Sequence, residues 1–160
     1  MTETERAGAL VVRAGEGQTV RWGPAGRLRV IAGADSTDGA FSVVEIVDPP
    51  GGGAPLHVHH GEAEAFYVLD GAIALTCGDQ NVTARAGDFV SAPKDVPHKY
   101  VVVGDRPARV LLFFSRPGFE SFFLEGGSPI DEPPAGPPDL AAFQQLVRKY
   151  DMELLEVPGH

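Results

Sequence analysis

Cationic side chains are scarce: 13 Lys and Arg stand against 22 Asp and Glu, a formal net charge of −9 over 160 residues. Neutralising phosphates takes clustered Lys and Arg, so this balance argues against a nucleic-acid partner and against an anionic membrane surface. Cysteine is nearly missing. The lone Cys77 excludes a disulfide within the chain and any multi-cysteine zinc or iron–sulfur site. With a Gly-Asp turn beside it and no basic neighbour in sequence, Cys77 reads as a small packed side chain rather than a nucleophile. No apolar run approaches the ~18 residues of a membrane helix. The opening Met-Thr-Glu-Thr-Glu-Arg is polar, with no apolar stretch behind it. That predicts no secretory signal and a cytoplasmic protein.

What the chain has in excess is turn residues. Its 20 glycines and 14 prolines exceed the usual shares of roughly 7% and 5%, which points to an all-β fold of many short strands. Apolar or alternating runs cover Leu10–Arg13, Thr19–Trp22, Leu28–Ala32, Phe41–Asp48, Glu64–Asp70, Ala72–Cys77, Asn81–Arg85, Asp88–Ala92, Pro97–Val103 and Ala108–Ser115. Turn residues recur between them at the spacing of a sandwich or barrel. Asp70-Gly71 is the stronger hairpin signal and Gly78-Asp79 the weaker.

The length fits one domain. Its expected parts are a flexible leader over residues 1–9, a barrel over 10–125 with a short helix at 119–124, and a Gly/Pro-rich linker over 126–138. A C-terminal helix and tail over 139–160 should pack on the barrel, with Asp139 as helix cap and Leu140, Phe143, Val147 and Tyr150 on one face.

Four of the five histidines fall in two windows, Gly51–Gly71 and Gly87–Val102. On a strand, residues two apart share a face, so His57 and His59 can serve one metal ion while His60 points away. Glu64 shares parity with Phe66 and Val68, and His98 arrives from a distant strand. Glu62, on the same parity as Glu64, is the rival carboxylate. His60 reads as exposed or as a partner behind a ligand, and His160 as a loose terminus. Imidazoles with one carboxylate suit a first-row divalent ion and leave positions open for other ligands.

These windows resemble the two motifs of the cupin superfamily. Gly51, His57, His59, Glu64 and Gly71 satisfy every spacing of the first motif, and Gly87, Pro93 and His98 meet the second. Asp95 stands where the family has Gly and Val102 where it has Asn. Asp tolerates left-handed backbone angles, so the turn can survive. Phe-Tyr-Val-Leu-Asp-Gly, Pro117–Gly127 and Lys-Tyr-Asp-Met-Glu look like bacterial single-domain cupins of the quercetin 2,3-dioxygenase type, a likeness over roughly residues 40–157.

The resemblance implies a jelly-roll barrel with His57, His59, Glu64 and His98 as ligands of one divalent ion per chain (Fe, Ni, Mn, Co, Cu or Zn). It implies a dioxygenase acting with O2 on a small enolisable or phenolic, flavonol-like substrate, with Glu64 also the proton acceptor. Phe66 and Tyr100 share the ligands' parity and are expected in the pocket wall, whereas Phe119, Phe122 and Phe123 are expected to fix the short helix to the barrel or to a second subunit. A homodimer is expected, with strands near Leu10–Trp22 as candidates for exchange. The alternatives are a non-redox isomerase, decarboxylase or cyclase of the same fold, and a small-molecule-binding cupin without turnover.

Overall fold

The computed structural model describes residues 8–134, 136–137 and 139–156. Most of the expected leader, and His160, lie outside them. Seven strands form one antiparallel sheet: β1 (Thr19–Trp22), β2 (Gly26–Ala32), β3 (Ser42–Asp48), β5 (Glu64–Asp70), β8 (Phe89–Ala92), β10 (Ala108–Phe114) and the two-residue β11 (Ser128–Pro129). Their order is β11-β1-β2-β3-β10-β5-β8. Five more form the second sheet: β4 (Gly53–His59), β6 (Ala72–Cys77), β7 (Gln80–Arg85), β9 (His98–Val102) and β12 (Met152–Leu154), in the order β12-β4-β9-β6-β7. The chain is therefore the expected all-β fold, with two short helices, α1 (Glu120–Gly126) and α2 (Leu140–Lys149).

Strand alternation supplies one core from both sheets. On β10 it is Ala108, Val110, Leu112 and Phe114 that are buried; on β9 it is His98, Tyr100 and Val102. Leu28, Val44, Ile46, Phe66 and Val68 face Ile73, Leu75 and Val102 in the same cluster. Burying side chains of this size contributes roughly 1.5–3 kcal/mol each. Val102, in the Asn position of the motif, is part of that core. Asp95 takes the left-handed φ of +65° that its Gly position demands.

The two turn signals exchange roles. Asp70-Gly71 joins no hairpin, because β5 and β6 belong to different sheets and the chain turns a corner there. Gly71 has φ +78°, and a Cβ on it would stand 2.7 Å from the Pro107 carbonyl oxygen. Close backbone approach, rather than hairpin geometry, calls for this glycine. Gly78-Asp79 is the true two-residue hairpin, joining β6 to β7 with Cys77 opposite Gln80. Positive φ occurs there at Gly78 alone (+58°), the pattern of a type II′ turn.

Leu10–Arg13 forms no strand: no neighbouring strand pairs with it, and Leu10 and Val11 stay exposed. The helices dock by specific contacts. Glu120 accepts hydrogen bonds from the Ala34 amide (2.8 Å) and the Ser42 hydroxyl, fastening α1 to the loop before β3. Asp139 caps α2 through the amides of Ala141 and Ala142 (3.0 and 3.1 Å). Leu140 lies exposed instead of on the packed face. The helix meets the core through its later turns, by Phe143, Leu146, Val147 and Tyr150.

Gly71→Ala should therefore be far more damaging than Gly39→Ala, which shares a left-handed φ (+74°) but meets nothing within 4 Å. Urea melts should show a loss of about 1 kcal/mol for Gly39→Ala and a several-fold larger loss for Gly71→Ala. Equal losses would mean that backbone crowding at the corner is unimportant.

Candidate metal centre and cavity

The structure brings His57, His59, Glu64 and His98 to one point, all buried, with one ligand atom of each within 4.8 Å of the others. β4 presents His57 and His59 from the same face, and β9 pairs with it so that His98 stands opposite His57. Glu64, the first residue of β5, reaches across from the other sheet. His57 Nε2 lies 3.2 Å from His59 Nε2. Glu64 Oε2 lies 3.0 Å from His59 Nε2, 2.8 Å from His98 Nε2 and 3.7 Å from His57 Nε2.

The outward nitrogens explain this convergence. His57 Nδ1 faces the Pro55 carbonyl (2.7 Å), His98 Nδ1 the Val96 carbonyl (3.0 Å) and His59 Nδ1 a Glu62 carboxylate oxygen (2.7 Å). Each partner can only accept, so each Nδ1 carries the proton and each Nε2 lone pair points inward. Three lone pairs and a carboxylate oxygen thus share one buried space. The separations of 2.8–3.7 Å just given suit donor atoms about 2.0–2.2 Å from a common ion, and the N3O set suits a first-row divalent metal.

Without such an ion, a proton fills the gap. Burial pulls His59 down, but hydrogen bonds and charges from Glu62 and Glu64 outweigh it and raise the imidazole to about 9. Burial pushes Glu64 up, yet the surrounding imidazoles of His57, His59 and His98 hold it well below the usual carboxylate value.

The expected rivals find other places. Glu62 is fully buried behind His59, not beside the other donor atoms. His60 is exposed and meets Asp95 Oδ1 at 2.8 Å. Cys77 is half-buried, and burial raises its thiol, which leaves little thiolate.

A narrow cavity of about 90 Å³, open at its mouth, reaches the cluster. Tyr100 lines it, whereas Phe66 packs behind Tyr100 and His98 (ring centroids 5.7 and 6.2 Å). Phe119, Phe122 and Phe123 fix the short helix to the barrel, packing on Phe114 and Trp22 in the core, and also wall this cavity together with Trp22, Phe114 and Phe143. Phe119 sits edge-on to His59 at 5.1 Å. Its C-terminal side is Val147, Met152 and Leu154. Among the described residues, no Lys or Arg lines the cavity.

One polar feature was not legible in the sequence. The Tyr100 hydroxyl donates to Asp48 Oδ2 at 2.7 Å, with both residues buried. Burial raises the Asp48 carboxyl, and burial with the charge of Asp48 lifts the Tyr100 phenol well above its usual value. Asp48 carries no spacing signal, since it ends a strand 52 residues from its partner.

Comparison with known proteins fits this architecture. The Cupin domain family matches residues 44–114, the stretch holding all four converging side chains. The chain belongs to the cupin superfamily. It is 31% identical over 122 residues to quercetin 2,3-dioxygenase of Bacillus subtilis (strain 168), covering 76% of this chain but 35% of that enzyme. The chain thus spans about a third of the length of that relative. A Thermotoga maritima protein described as a predicted oxalate decarboxylase superposes with TM-score 0.61 at 23% identity, over 67% of this chain and 99% of its own. An RmlC-like cupin from Shewanella frigidimarina does so with TM-score 0.61 at 16% identity, over 71% and 96%. These two likenesses concern the fold. Among the described residues, no helix is long and apolar enough to cross a membrane.

The buried protons set a pH dependence for the metal-free cupin. His59 rises from 6.5 to about 9 on folding, so the stability it contributes is complete below about pH 6.5 and fades as pH climbs through about 9. Glu64 is depressed, so its contribution is present above about pH 4.5 and lost in acid as its folded value is passed. Thermal melts of chelator-treated protein should give a Tm that peaks near pH 5–6.5 and falls by pH 9. A Tm unchanged from pH 6.5 to 9 would contradict the protonated His59 between two carboxylates.

Proposed function

We propose that this cupin is a cytoplasmic, metal-dependent dioxygenase that acts with O2 on a small enolisable or phenolic, flavonol-like substrate. The observation that carries this reading is a buried N3O cluster reached by an aromatic cavity with no Lys or Arg among its described lining residues. A divalent first-row ion held by His57, His59, Glu64 and His98 would supply Lewis-acid and redox chemistry when bound. The aromatic walls suit a flat, apolar ring system and keep water from the reacting end. Glu64 turns Oε2 toward all three imidazoles, which leaves Oε1 to take the proton of a substrate hydroxyl. Tyr100 spends its own proton on Asp48, so its oxygen is an acceptor for a second substrate hydroxyl.

The alternative is a non-redox isomerase, decarboxylase or cyclase, or a binding protein without turnover. The fold likeness to a predicted oxalate decarboxylase leans that way. Against it, a small dicarboxylate would need more positive charge than the described walls provide.

Elemental analysis of untagged protein purified without chelator should find about one equivalent of Fe, Ni, Mn, Co or Cu per chain, as a single four-ligand site requires. Quercetin should then drive oxygen uptake, and Glu64→Gln should cut that rate by about 10²-fold or more while some metal stays bound. Product without oxygen uptake would favour the non-redox enzyme, and ligand-induced stabilisation without product the binding protein. Full turnover by Glu64→Gln would remove Glu64 as proton acceptor.

We also propose a homodimer. β1 pairs with β2 and β11 of its own chain, so the support lies on the outer face of the larger sheet. There Phe89, Tyr67 and Leu111 form a row across three strands, with Phe113 beside it. Phe89 is 61% exposed, and clustered exposed aromatics mark association surfaces. Light scattering should give the dimer mass for the natural chain and the monomer mass for Phe89→Glu. A monomeric natural chain would refute the proposal.

A further inference from the structure

Arg116 lies just beyond β10 and ties three parts of the molecule together. Its Nε stands 3.0 Å from Glu62 Oε2, an ion pair with the N–H directed off the line between them. Its Nη2 donates to the Tyr150 carbonyl at 3.0 Å, and Nη1 lies 4.0 Å from Asp151 Oδ2. Glu62 shows no side-chain exposure, and its other oxygen holds His59 Nδ1 at 2.7 Å. Gly61 makes room: a Cβ there would stand 2.5 Å from Nη1 of Arg116. Tyr150 ends α2, and Asp151, at φ +59°, leads straight into β12. β12 places Met152 opposite His59 and Leu154 opposite His57, and both line the cavity.

We infer that Arg116 is a positioning residue that couples the C-terminal wall of the cavity, residues 140–154, to the metal centre through Glu62. A buried carboxylate needs charge compensation beyond one neutral imidazole N–H. Arg116 supplies it, which lets Glu62 remain the fixed acceptor that sets the tautomer and ring angle of His59. The same guanidinium holds the end of α2, so occupancy of the centre and docking of the wall stabilise one another. Such coupling is reciprocal. This rests on the metal-centre reading above.

Co2+ is the probe. Calorimetric titration and visible absorption report its binding, and amide hydrogen exchange over residues 140–154, with and without Co2+, reports the wall. Full-length natural protein is compared with Arg116→Gln, Arg116→Lys, Glu62→Gln and the Glu62→Gln/Arg116→Gln double variant. Arg116→Gln should lose about 10–100-fold in Co2+ affinity, as outer partners of metal-bound histidines do. Co2+ should slow exchange over 140–154 in the natural chain and much less in Arg116→Gln. Arg116→Lys should recover part of the affinity, and the double variant should bind no more weakly than Glu62→Gln alone. Should Arg116→Gln fail to fold, Arg116→Lys carries the same comparison as a partial loss. Natural affinity with natural Co2+-dependent protection in the Arg116 variants, or additive losses in the double variant, would overturn the coupling. Absence of Co2+ binding by the natural chain would overturn the metal-centre reading itself.

Discussion

Three imidazole lone pairs and a carboxylate oxygen, shut away from water within a few ångströms of each other, repel unless something positive lies among them. Much of this structure exists to hold that arrangement against its own electrostatics. Three acceptors outside the ring of histidines keep the Nδ1 protons turned outward. Two of these are backbone carbonyls, each two residues before its histidine, so the chain leading into each ring also fixes its tautomer. The third, Glu62, is itself a buried charge and requires Arg116. Each layer of polar groups creates the demand that the next one meets.

The jelly roll delivers these groups through alternation and pairing alone. β4 sets two histidines on one face, β9 brings the third opposite His57, and β5 supplies the carboxylate from the other sheet. Because strand periodicity is two, a one-residue slip of β4 or β9 would turn the histidines it carries outward. The register is guarded on both sides of β4. β12 pairs along its outer edge, while β9 accepts an irregularity between Ala54 and His57 that absorbs Pro55. The ligands therefore sit on central strands and not on loops.

How far the sequence reveals this depends on the range of the signal. The His-x-His spacing, the parity of Glu64 with Phe66, the left-handed Asp95 and the Asp139 cap are local rules, and each finds its counterpart in the structure. Contacts between residues far apart leave no such trace. Arg116 and Glu62, or Met152 and His59, meet only because strands far apart in sequence pair, and Asp48 and Tyr100 only because the two sheets face each other. The same limit explains Asp70-Gly71, where composition says turn but only topology says corner. It also explains Phe119, Phe122 and Phe123, which fasten the helix to the barrel and wall the cavity as well, a second role that shows only once the cavity is placed.

Charge narrows what the cavity can hold. With neutral imidazoles, one carboxylate and a divalent ion, the centre would carry a net charge near +1. The nearby guanidinium of Arg116 is matched by Glu62, and Asp48 lies behind Tyr100 with a carboxylate of its own. A ligand with a single anionic oxygen therefore balances the site, while a second negative charge would meet aromatic rings and no cation. Those rings favour a flat apolar body, and the Tyr100 oxygen favours a hydroxyl on it. On the proposed reading, a monoanionic phenol or enol on an aromatic frame fits these conditions better than a compact dianion.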